Sequence, residues 1–528
     1  MKFSPLFLLM IIFSWSSYGQ NSVTGFVFED TNRNLVRDVK EAGIPGVAVS
    51  NGQEVVLTGQ DGRYELPIGT DDIIFVVKPA NYRTPVDENN LPRFYYIHKP
   101  NGSPVLKYAG VSPSGKLPRS VDFGLFPETE SDQFDVLLFG DPQTYNNNEL
   151  RYFDERIVSE LVKTQQASFG ISVGDLVGDN PDLFIPYART VAKIGVPWYN
   201  VIGNHDMNFD IEYDEHSDES FERVFGPSTY SFNFGKTHFI ILKDILRPDP
   251  RTQKGYWGGF TEKQLRFVKS DLKLVPKDHL VVLAFHIPLS EDHAGRDIFR
   301  DEDRLQLFTL LKDFPNTLSI SAHSHIQLNK FFDGEYGWLQ KKPHHHLNLG
   351  TTCGDWYRGE HDTDGIPVSV MADGTPQGYA FLRINKNEYA IDYKAAGYPE
   401  DYKMSIYHPK VMVKANKSLA GIYVNYFMGS ERDEVKFRID GGKWTRMNYT
   451  IEPDPSYRRI LHKWDFTEES LPGRRPGEAK ACFHLWKAIL PSNLAVGENQ
   501  IEIQVTDSFG HTHEGKSSYR IELAATKK

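Results

Sequence analysis

The sequence predicts a multidomain protein in which an α/β unit lies between two all-β units. Its 528 residues exceed one ordinary core, since domains average roughly 150 residues. Hydrophobic residues make up 40% of the chain and charged residues 24%, which is typical of soluble globular proteins rather than of disordered or fibrous chains. Aromatic residues at 13%, with 42 glycines and 31 prolines, favour strands and turns over long helical bundles.

Charge and cysteine content exclude two common classes of protein. The formal net charge of −11 argues against a general nucleic-acid binder, because such binding depends on clustered Lys and Arg. The two cysteines, Cys353 and Cys482, are too few for a disulfide framework and form no CxxC zinc pair. Whether they pair with each other is left open, and Cys353 is expected to be a buried, inert thiol.

Residues 1–19 have the pattern of a secretory signal peptide. Lys2 precedes an apolar run over residues 6–13, and small residues follow up to Gly19. The apolar run is much shorter than the ~20 residues that span a bilayer, and no later segment is predicted to cross a membrane. We therefore expect an exported protein in the periplasm, at the cell surface or outside the cell.

Residues 21–127 are predicted to form an N-terminal β-sandwich, because short runs such as VTGFVFED and DIIFVVKP alternate with turn residues. Between Asp30 and Asp38 oxygen-bearing side chains stand at alternating positions, and Glu41 follows, as in a calcium loop. Leu35 stands where an EF-hand loop has its turn glycine, so a polar Asx-rich turn is the alternative to calcium. The stretch resembles the repeated β-sandwich modules of bacterial surface proteins, which implies an accessory role.

Residues 132–398 change to apolar strands that alternate with helical stretches, and TEKQLRFVKSDLKLV has helical spacing. In such α/β units the loops at strand ends carry the functional site. From residue 399 to 526 the helical signal fades again. Runs such as GIYVNYFMG, EVKFRID and NQIEIQVTDSFG predict a C-terminal β-sandwich there.

Five of the central strands end at residue types that bind metals. The motifs are Gly140-Asp141-Pro142-Gln143, Gly174-Asp175-Leu176-Val177-Gly178-Asp179 (within GDLVGDN), Gly203-Asn204-His205-Asp206, Phe285-His286 and Ala322-His323-Ser324-His325. One such motif alone is more often a turn, but five in succession indicate a shared centre. Two divalent cations about 3.5–4 Å apart suit phosphate-ester hydrolysis. Imidazole, amide and carboxylate ligands match Mn, Fe or Zn better than Mg.

In their order these motifs resemble those of the calcineurin-like metallophosphoesterase family. The resemblance implies a double β-sheet sandwich flanked by helices. It also implies a phosphatase or phosphodiesterase in which a metal-bridging hydroxide attacks phosphorus directly. The implied ligands are Asp175 as the bridge, Asp141 and His325 in the first site, and Asn204, His286 and His323 in the second, and Gln143 is a further candidate ligand in the first site. His205 would contact the phosphate and protonate the leaving oxygen, and Asp206 would orient it.

Gln143 departs from the pattern of most members, whose first motif reads Asp-x-His. An amide oxygen binds a soft or borderline cation less well than imidazole does. The consequences to weigh are a weaker first site or one that prefers a harder ion such as Mn. A further alternative is a catalytically lapsed surface protein that binds glycan or protein through its β-sandwiches. The sequence leaves the oligomeric state open.

The glycine-rich, aromatic stretch after residue 350 is a candidate for substrate contact, since long loops inside compact domains are usually functional. It resembles the substrate-facing region of secreted bacterial members with this three-part architecture. Its candidate residues are Trp356, Tyr357, Asp373 and Tyr379. Aromatic packing between the central and C-terminal units is the alternative. The stretch favours a bulky phosphodiester slightly over a monoester. Of His344, His345 and His346, at most one is expected to approach the site, because neighbours on a strand face opposite ways.

Overall fold

The computed structural model describes residues 22–162, 167–291 and 295–524, so the predicted signal peptide lies outside the described residues. Three pairs of β-sheets follow one another along this part of the chain. Within it, no helix has both the length and the apolar character needed to cross a membrane.

The N-terminal unit consists of two four-stranded sheets, ordered β4-β1-β8-β6 and β3-β2-β5-β7. Its strands are β1 (Ser22–Glu29), β2 (Ala48–Ser50), β3 (Val55–Leu57), β4 (Arg63–Pro67), β5 (Asp72–Val76), β6 (Tyr82–Arg83), β7 (Tyr95–His98) and β8 (Phe123–Pro127). Burial alternates along β4, as expected for a strand with one face on a core.

The central unit is a double β-sheet sandwich with helices around it. Its strands are β9 (Gln133–Phe139), β10 (Phe169–Val173), β11 (Trp198–Val201), β12 (Tyr230–Phe234), β13 (Thr237–Ile241), β14 (Ile245–Leu246), β15 (Trp257–Gly258), β16 (Leu280–Ala284), β17 (Thr317–Ser321), β18 (Leu328–Phe332), β19 (His344–Asn348), β20 (Gly359–Glu360), β21 (Gly378–Asn385) and β22 (Glu388–Ala395). The sheet orders are β11-β10-β9-β21-β22 and β12-β13-β16-β17-β19-β18. Phe169 of one sheet meets Phe232 and Phe239 of the other, with ring centroids 5.5 and 5.3 Å apart.

The central helices are α1 (Asn147–Phe153), α2 (Ser159–Leu161), α3 (Phe184–Ala192), α4 (Glu219–Phe225), α5 (Glu262–Asp271) and α6 (Asp301–Leu311). A π-helical segment, Asp154–Val158, joins α1 to α2. Helix α5 is the one predicted from helical spacing, and a capping box between Thr261 and Gln264 begins it. That prediction is confirmed.

The C-terminal unit has a four-stranded sheet, β23-β25-β30-β28, and a five-stranded sheet, β24-β32-β31-β26-β27. Its elements are β23 (Met404–Tyr407), β24 (Val411–Val413), β25 (Gly421–Tyr426), β26 (Glu434–Ile439), β27 (Thr445–Arg446), β28 (Asn448–Glu452), α7 (Pro455–Asp465), β29 (Gly473–Arg474), β30 (Cys482–Ile489), β31 (Gly497–Thr506) and β32 (Thr512–Glu522). Strand β29 pairs with β20 of the central unit. The predicted fold class is confirmed, and the exact domain boundaries stay predictions.

The three units share one continuous cluster of buried hydrophobic side chains. Phe75 of the N-terminal unit packs on Phe267 of α5, with ring centroids 5.7 Å apart. On the other side, the Asn329 amide donates to the Met428 carbonyl at 3.0 Å. The central sandwich therefore packs against both flanking units.

Candidate metal centre

The five motifs meet because their strands run parallel. Strands β9, β10 and β11 are parallel neighbours in one sheet, and β16 and β17 are parallel neighbours in the other. The carboxyl ends of parallel strands lie at the same edge of a sheet, which is where ligands bind in α/β folds. Each motif follows one of these five strands directly.

Most of the ligand candidates adopt a backbone conformation that is rare for side-chain-bearing residues. The positive φ angles are 39° at Asp141, 38° at Gln143, 47° at Asp175, 70° at His323 and 52° at His325. Such residues cost ~1–3 kcal/mol each and persist only where surrounding contacts determine them. Sharp turns at the strand ends aim these side chains towards one another.

Two glycines allow the close approach that the centre requires. Gly174 has a φ of +86°, and a Cβ there would lie 2.4 Å from Nδ1 of His286. A Cβ on Gly203 would lie 2.0 Å from the Asp175 nitrogen. The glycines of the Gly-Asp and Gly-Asn-His motifs are therefore steric requirements of the site.

The second predicted site is organised around Nε2 of His286. Its Nδ1 lies 2.9 Å from the Val173 carbonyl, a contact that requires a proton on Nδ1 and makes Nε2 the ring atom available to a metal. Around Nε2 lie Oδ1 of Asn204 at 3.0 Å, Oδ2 of Asp175 at 3.2 Å and Nδ1 of His323 at 3.3 Å. Four ligand atoms thus surround a small volume, as a divalent cation requires.

The first predicted site is more open. The buried Asp141 carboxylate lies 3.8 Å from Nε2 of His325 and accepts the His323 N–H at 3.1 Å. Gln143 donates its backbone N–H to the Asp175 carbonyl at 2.7 Å and its amide Nε2 to the Tyr145 hydroxyl at 3.3 Å.

Among the described residues, Oε1 of Gln143 is buried and has no hydrogen-bond partner. An unpaired buried acceptor costs ~1–3 kcal/mol, and a cation beside it would remove that cost. The donor set therefore fits a metal, and a role for the amide oxygen of Gln143 as a ligand stays a prediction. The strongest argument for a lapsed site, the glutamine itself, loses its force.

Burial and neighbouring charges set the protonation of the imidazoles. Burial opposes a charge on His286, but the carboxylates of Asp175 and Asp141 outweigh it and raise its pKa to about 10, so a metal that binds Nε2 would displace a proton from it. Burial lowers the pKa of both His323 and His325 to about 3, so these two rings are neutral, as metal ligands must be. Burial also opposes ionisation of Asp175, yet His286 and another nearby imidazole hold its pKa below its usual range.

His205 lies at the edge of the centre with a partner other than the expected one. Its Nδ1 lies 2.7 Å from the Asp179 carboxylate, and its backbone N–H donates to Asp175 at 2.8 Å. Burial opposes a charge on the ring, but Asp175 and Asp179 outweigh it and raise the pKa of His205 to about 9. Its side chain keeps 29% of its surface exposed, so the ring faces the space where a substrate would bind.

The expectation that Asp206 orients His205 is wrong. The fully buried Asp206 carboxylate accepts backbone N–H groups of Leu176, Val177 and Gly203 at 3.0, 2.9 and 2.8 Å. These three donors satisfy it completely, so Asp206 ties two ligand loops together and leaves the imidazole to Asp179.

Three of the four candidate substrate residues lie in the interior, so the expectation that they contact substrate is wrong. The Tyr357 hydroxyl donates to the Pro142 carbonyl at 2.5 Å, and the Tyr379 hydroxyl to Glu160 at 3.3 Å. The Asp373 carboxylate accepts the Gln327 N–H at 2.7 Å. These side chains are buried, so they support loops and do not face a substrate.

Trp356 is the fourth candidate, and it is partly exposed beside the first site. Its ring stacks on that of His325, with centroids 4.0 Å apart and planes inclined at 18°. A role for Trp356 in substrate contact stays a prediction.

The three consecutive histidines are structural. His344 and His346 bond to serine and threonine hydroxyls of β17, and His345 lies between Tyr389 and Asn329 at 2.9 Å from each. All three are buried in β19. None of their hydrogen bonds within the described residues reaches the metal ligands.

Both cysteines are free, buried thiols. Burial raises the pKa of Cys353 well above its ordinary value, which agrees with an inert thiol. Sequence reasoning missed that its Sγ lies 3.8 Å from Nδ1 of His325, so Cys353 forms part of the wall behind the first site.

The predicted calcium loop is an ordered turn. The Asp30 carboxylate accepts the N–H groups of Arg33 and Leu35 at 2.6 and 2.8 Å, and Glu41 accepts that of Asp38 at 3.0 Å. Leu35 has a φ of 62°, the left-handed conformation for which an EF-hand loop uses glycine. These bonds fit the Asx-rich turn, and calcium stays a prediction.

Two supporting carboxylates were not assigned from the sequence. Asp179 stands four residues after Asp175 in the GDLVGDN motif, which was the available signal. Asp244 follows β13 and accepts the N–H groups of His286 and Ile287 at 3.0 and 2.8 Å. No sequence motif marks Asp244, because its role depends on the pairing of β13 with β16.

Family models match three successive parts of the chain. The model for the N terminal of calcineurin-like phosphoesterase matches residues 30–108, that for calcineurin-like phosphoesterase matches residues 134–327, and that for the C terminal of calcineurin-like phosphoesterase matches residues 346–513. The chain belongs to the calcineurin-like phosphoesterase family. It is therefore a metal-dependent phosphoric ester hydrolase, and the family implies a pair of metal ions.

Solved structures similar to this phosphoesterase include two phosphatases. A dimetal phosphatase from Danio rerio is 13% identical, with a TM-score of 0.35, over 50% of this chain and 96% of its own. A purple acid phosphatase from yellow lupin (Lupinus luteus) seeds is 12% identical, with a TM-score of 0.34, over 66% of this chain and 67% of its own. No curated protein matches the sequence.

Proposed function

We propose that this phosphoesterase is an exported enzyme that hydrolyses phosphodiesters faster than monoesters. The observation that carries the proposal is the convergence of ligand atoms on Nε2 of His286, with Asn204 and Asp175 within 3.2 Å, beside the unpaired amide oxygen of Gln143. The retained metals would be Mn, Fe or Zn, since imidazole and amide ligands suit these ions better than Mg.

The reaction would divide the work between cations and side chains. Two cations at these positions would polarise the phosphoryl oxygen and lower the pKa of an attacking water. Asp175 stands between the two ligand sets, 3.2 Å from His286 Nε2, and would hold both. His205 uses Nδ1 for Asp179, which leaves Nε2 to give a proton to the departing alcohol.

Exposed aromatic rings beside two different histidines of the centre support the diester. Tyr145 is 37% exposed and lies 6.1 Å from His205 between ring centroids. Tyr256 is 36% exposed and lies 6.1 Å from His323. A diester carries an alcohol on each side of phosphorus, so a surface on each side suits it, whereas a monoester needs only one.

The test compares two chromogenic substrates. Chelated protein is resupplied with Mn, Zn, Fe or Mg, its metal content is measured, and rates are taken on p-nitrophenyl phosphate and bis-p-nitrophenyl phosphate. The expected result is two metals per chain and a higher kcat/KM on the diester. Equal or higher kcat/KM on the monoester would overturn the diester preference.

A matched pair of variants tests the reason for that preference. Tyr145→Ala should lower kcat/KM on the diester more than on the monoester, while Tyr407→Ala, in β23 of the C-terminal unit, should leave the ratio unchanged. Export is tested separately by the N-terminal sequence of the protein recovered from cell fractions. A chain that keeps residues 1–19 inside the cell would contradict export.

A further inference from the structure

The loop that carries two predicted metal ligands is held in a strained conformation. His323 and His325 have φ angles of 70° and 52°, and Ser324 lies between them. Within the central unit, the Ala322 N–H donates to the His286 carbonyl at 2.9 Å, and the Asp141 carboxylate accepts the N–H of His323 at 3.1 Å. We call residues 322–325 the histidine loop.

The C-terminal unit contacts the histidine loop directly. Lys480, just before β30, donates from Nζ to the Ser324 carbonyl at 3.0 Å. Its own backbone is fixed, since its N–H donates to the Ala372 carbonyl at 2.9 Å. The ammonium is partly buried, which strengthens a charge-assisted bond to a carbonyl.

The same C-terminal segment also reaches the other side of His325. Arg474 donates to the Trp356 carbonyl at 2.7 Å, and the Trp356 ring stacks on His325 at 4.0 Å. Trp356 itself has a φ of 50°. Beside it, the Gly477 N–H donates to the Asp355 carboxylate at 2.6 Å.

From these contacts we propose that Lys480 is a positioning residue for the first metal site, acting through the Ser324 carbonyl. The C-terminal unit is then part of the metal centre rather than an appended module. The inference rests on the proposed function, because it takes His325 as a ligand. Strained ligand loops need contacts that over-determine them, and the histidine loop receives this one from outside the central unit.

The test measures metal affinity without substrate. Full-length Lys480→Met, Lys480→Arg and wild-type protein are stripped of metal and titrated with Mn against a chromophoric chelator. Outer contacts of metal ligands typically change affinity ~10–100-fold, and we expect a loss of that size at the weaker site in Lys480→Met. Lys480→Arg should recover most of it. At saturating Mn, kcat should return while KM stays at the wild-type value.

Lys487→Met is the matched control, since Lys487 lies in the same unit and pairs with Glu452 at the surface. Unchanged Mn affinity in a folded Lys480→Met protein would overturn the proposal. Unchanged affinity with a raised KM would also overturn it, because Lys480 would then contact substrate. If Lys480→Met does not fold, Lys480→Ala replaces it, and wild-type affinity there would overturn the proposal. The Mn affinities are measured without substrate, so they test the role of Lys480 even if the enzyme does not prefer diesters.

Discussion

The two predicted metal sites share Asp175 but differ in how firmly they are built. In the second site, three ligand atoms lie within 3.3 Å of His286 Nε2, and Asp244 holds the backbone beneath it. In the first site the Asp141 carboxylate and His325 Nε2 are 3.8 Å apart. The amide that replaces an imidazole stands in this looser site.

The difference teaches where this phosphoesterase relies on additional support. In the second site, the contacts that hold His286 come from the central sandwich: the Val173 carbonyl and the Asp244 carboxylate. Around the first site they also come from Trp356, which stacks on His325, and from Lys480 of the C-terminal unit. A weaker ligand set thus coincides with contacts recruited from farther along the chain.

The largest effect should follow from removing the ligand that both sites share. Asp175→Asn deletes the charge that a bridging carboxylate supplies, so both metals should be lost and turnover should fall to background. Elemental analysis and the diester rate measure this. Asp135→Asn, at the other end of β9 from Asp141 and paired with Arg383, is the control. Full metal content in Asp175→Asn would contradict the shared bridge.

His205→Ala should distinguish a role in metal binding from a role in protonating the departing alcohol. The ring contacts Asp179 and not the ligands of either site, so both metals should remain. Turnover should fall ~10²–10⁴-fold, the usual range for a lost general acid. A substrate with a good leaving group should be affected less. Loss of one metal would instead show that His205 is a metal ligand. The control His279→Ala, at a partly buried histidine outside the centre, should change neither metal content nor turnover.

How much of the centre could be predicted depended on whether the determinant was local. The ligands followed from strand ends, because parallel strands must bring their carboxyl ends together. The partner of His205 did not follow, since Asp206 is its neighbour in sequence whereas Asp179 lies 26 residues away. Three backbone N–H groups decide between them by occupying Asp206, and such turn geometry is not written in residue spacing.

The aromatic stretch after residue 350 shows the complementary failure. Its composition suits either substrate contact or packing, and burial decides which applies. Tyr357 and Tyr379 end in hydrogen bonds to the Pro142 carbonyl and to Glu160, so they support the site from behind. The contact of Lys480 with the histidine loop could not be predicted from the sequence for another reason. It joins residues 156 positions apart, and no local sequence pattern encodes such a contact.

Stepwise chelation should show that the two sites bind their metals with different affinities. With increasing chelator, one metal should leave before the other, at concentrations separated by ~10–100-fold, the range that ligand surroundings typically control. Activity should disappear with the first metal, because both cations take part in the reaction. Metal content and rate are followed together. Simultaneous loss of both metals would show that the two sites bind metal with equal affinity and would contradict the proposed difference between them.

The smallest expected effect comes from a variant that makes the metal affinities of the two sites more similar. Gln143→His restores the imidazole that most first motifs carry, and histidine tolerates the positive φ of 38° at this position better than most residues do. Imidazole is a better ligand than an amide for Zn. The first site should therefore bind Zn up to ~10-fold more tightly, in the range that ligand surroundings control, while the affinity of the second site should change little.

Gln253→His, at an exposed glutamine with a φ of 59°, controls for the new side chain. Titration of stripped protein with Zn measures both affinities. A weaker first site in Gln143→His would mean that this pocket is shaped for the amide oxygen, and that the glutamine is a selected ligand.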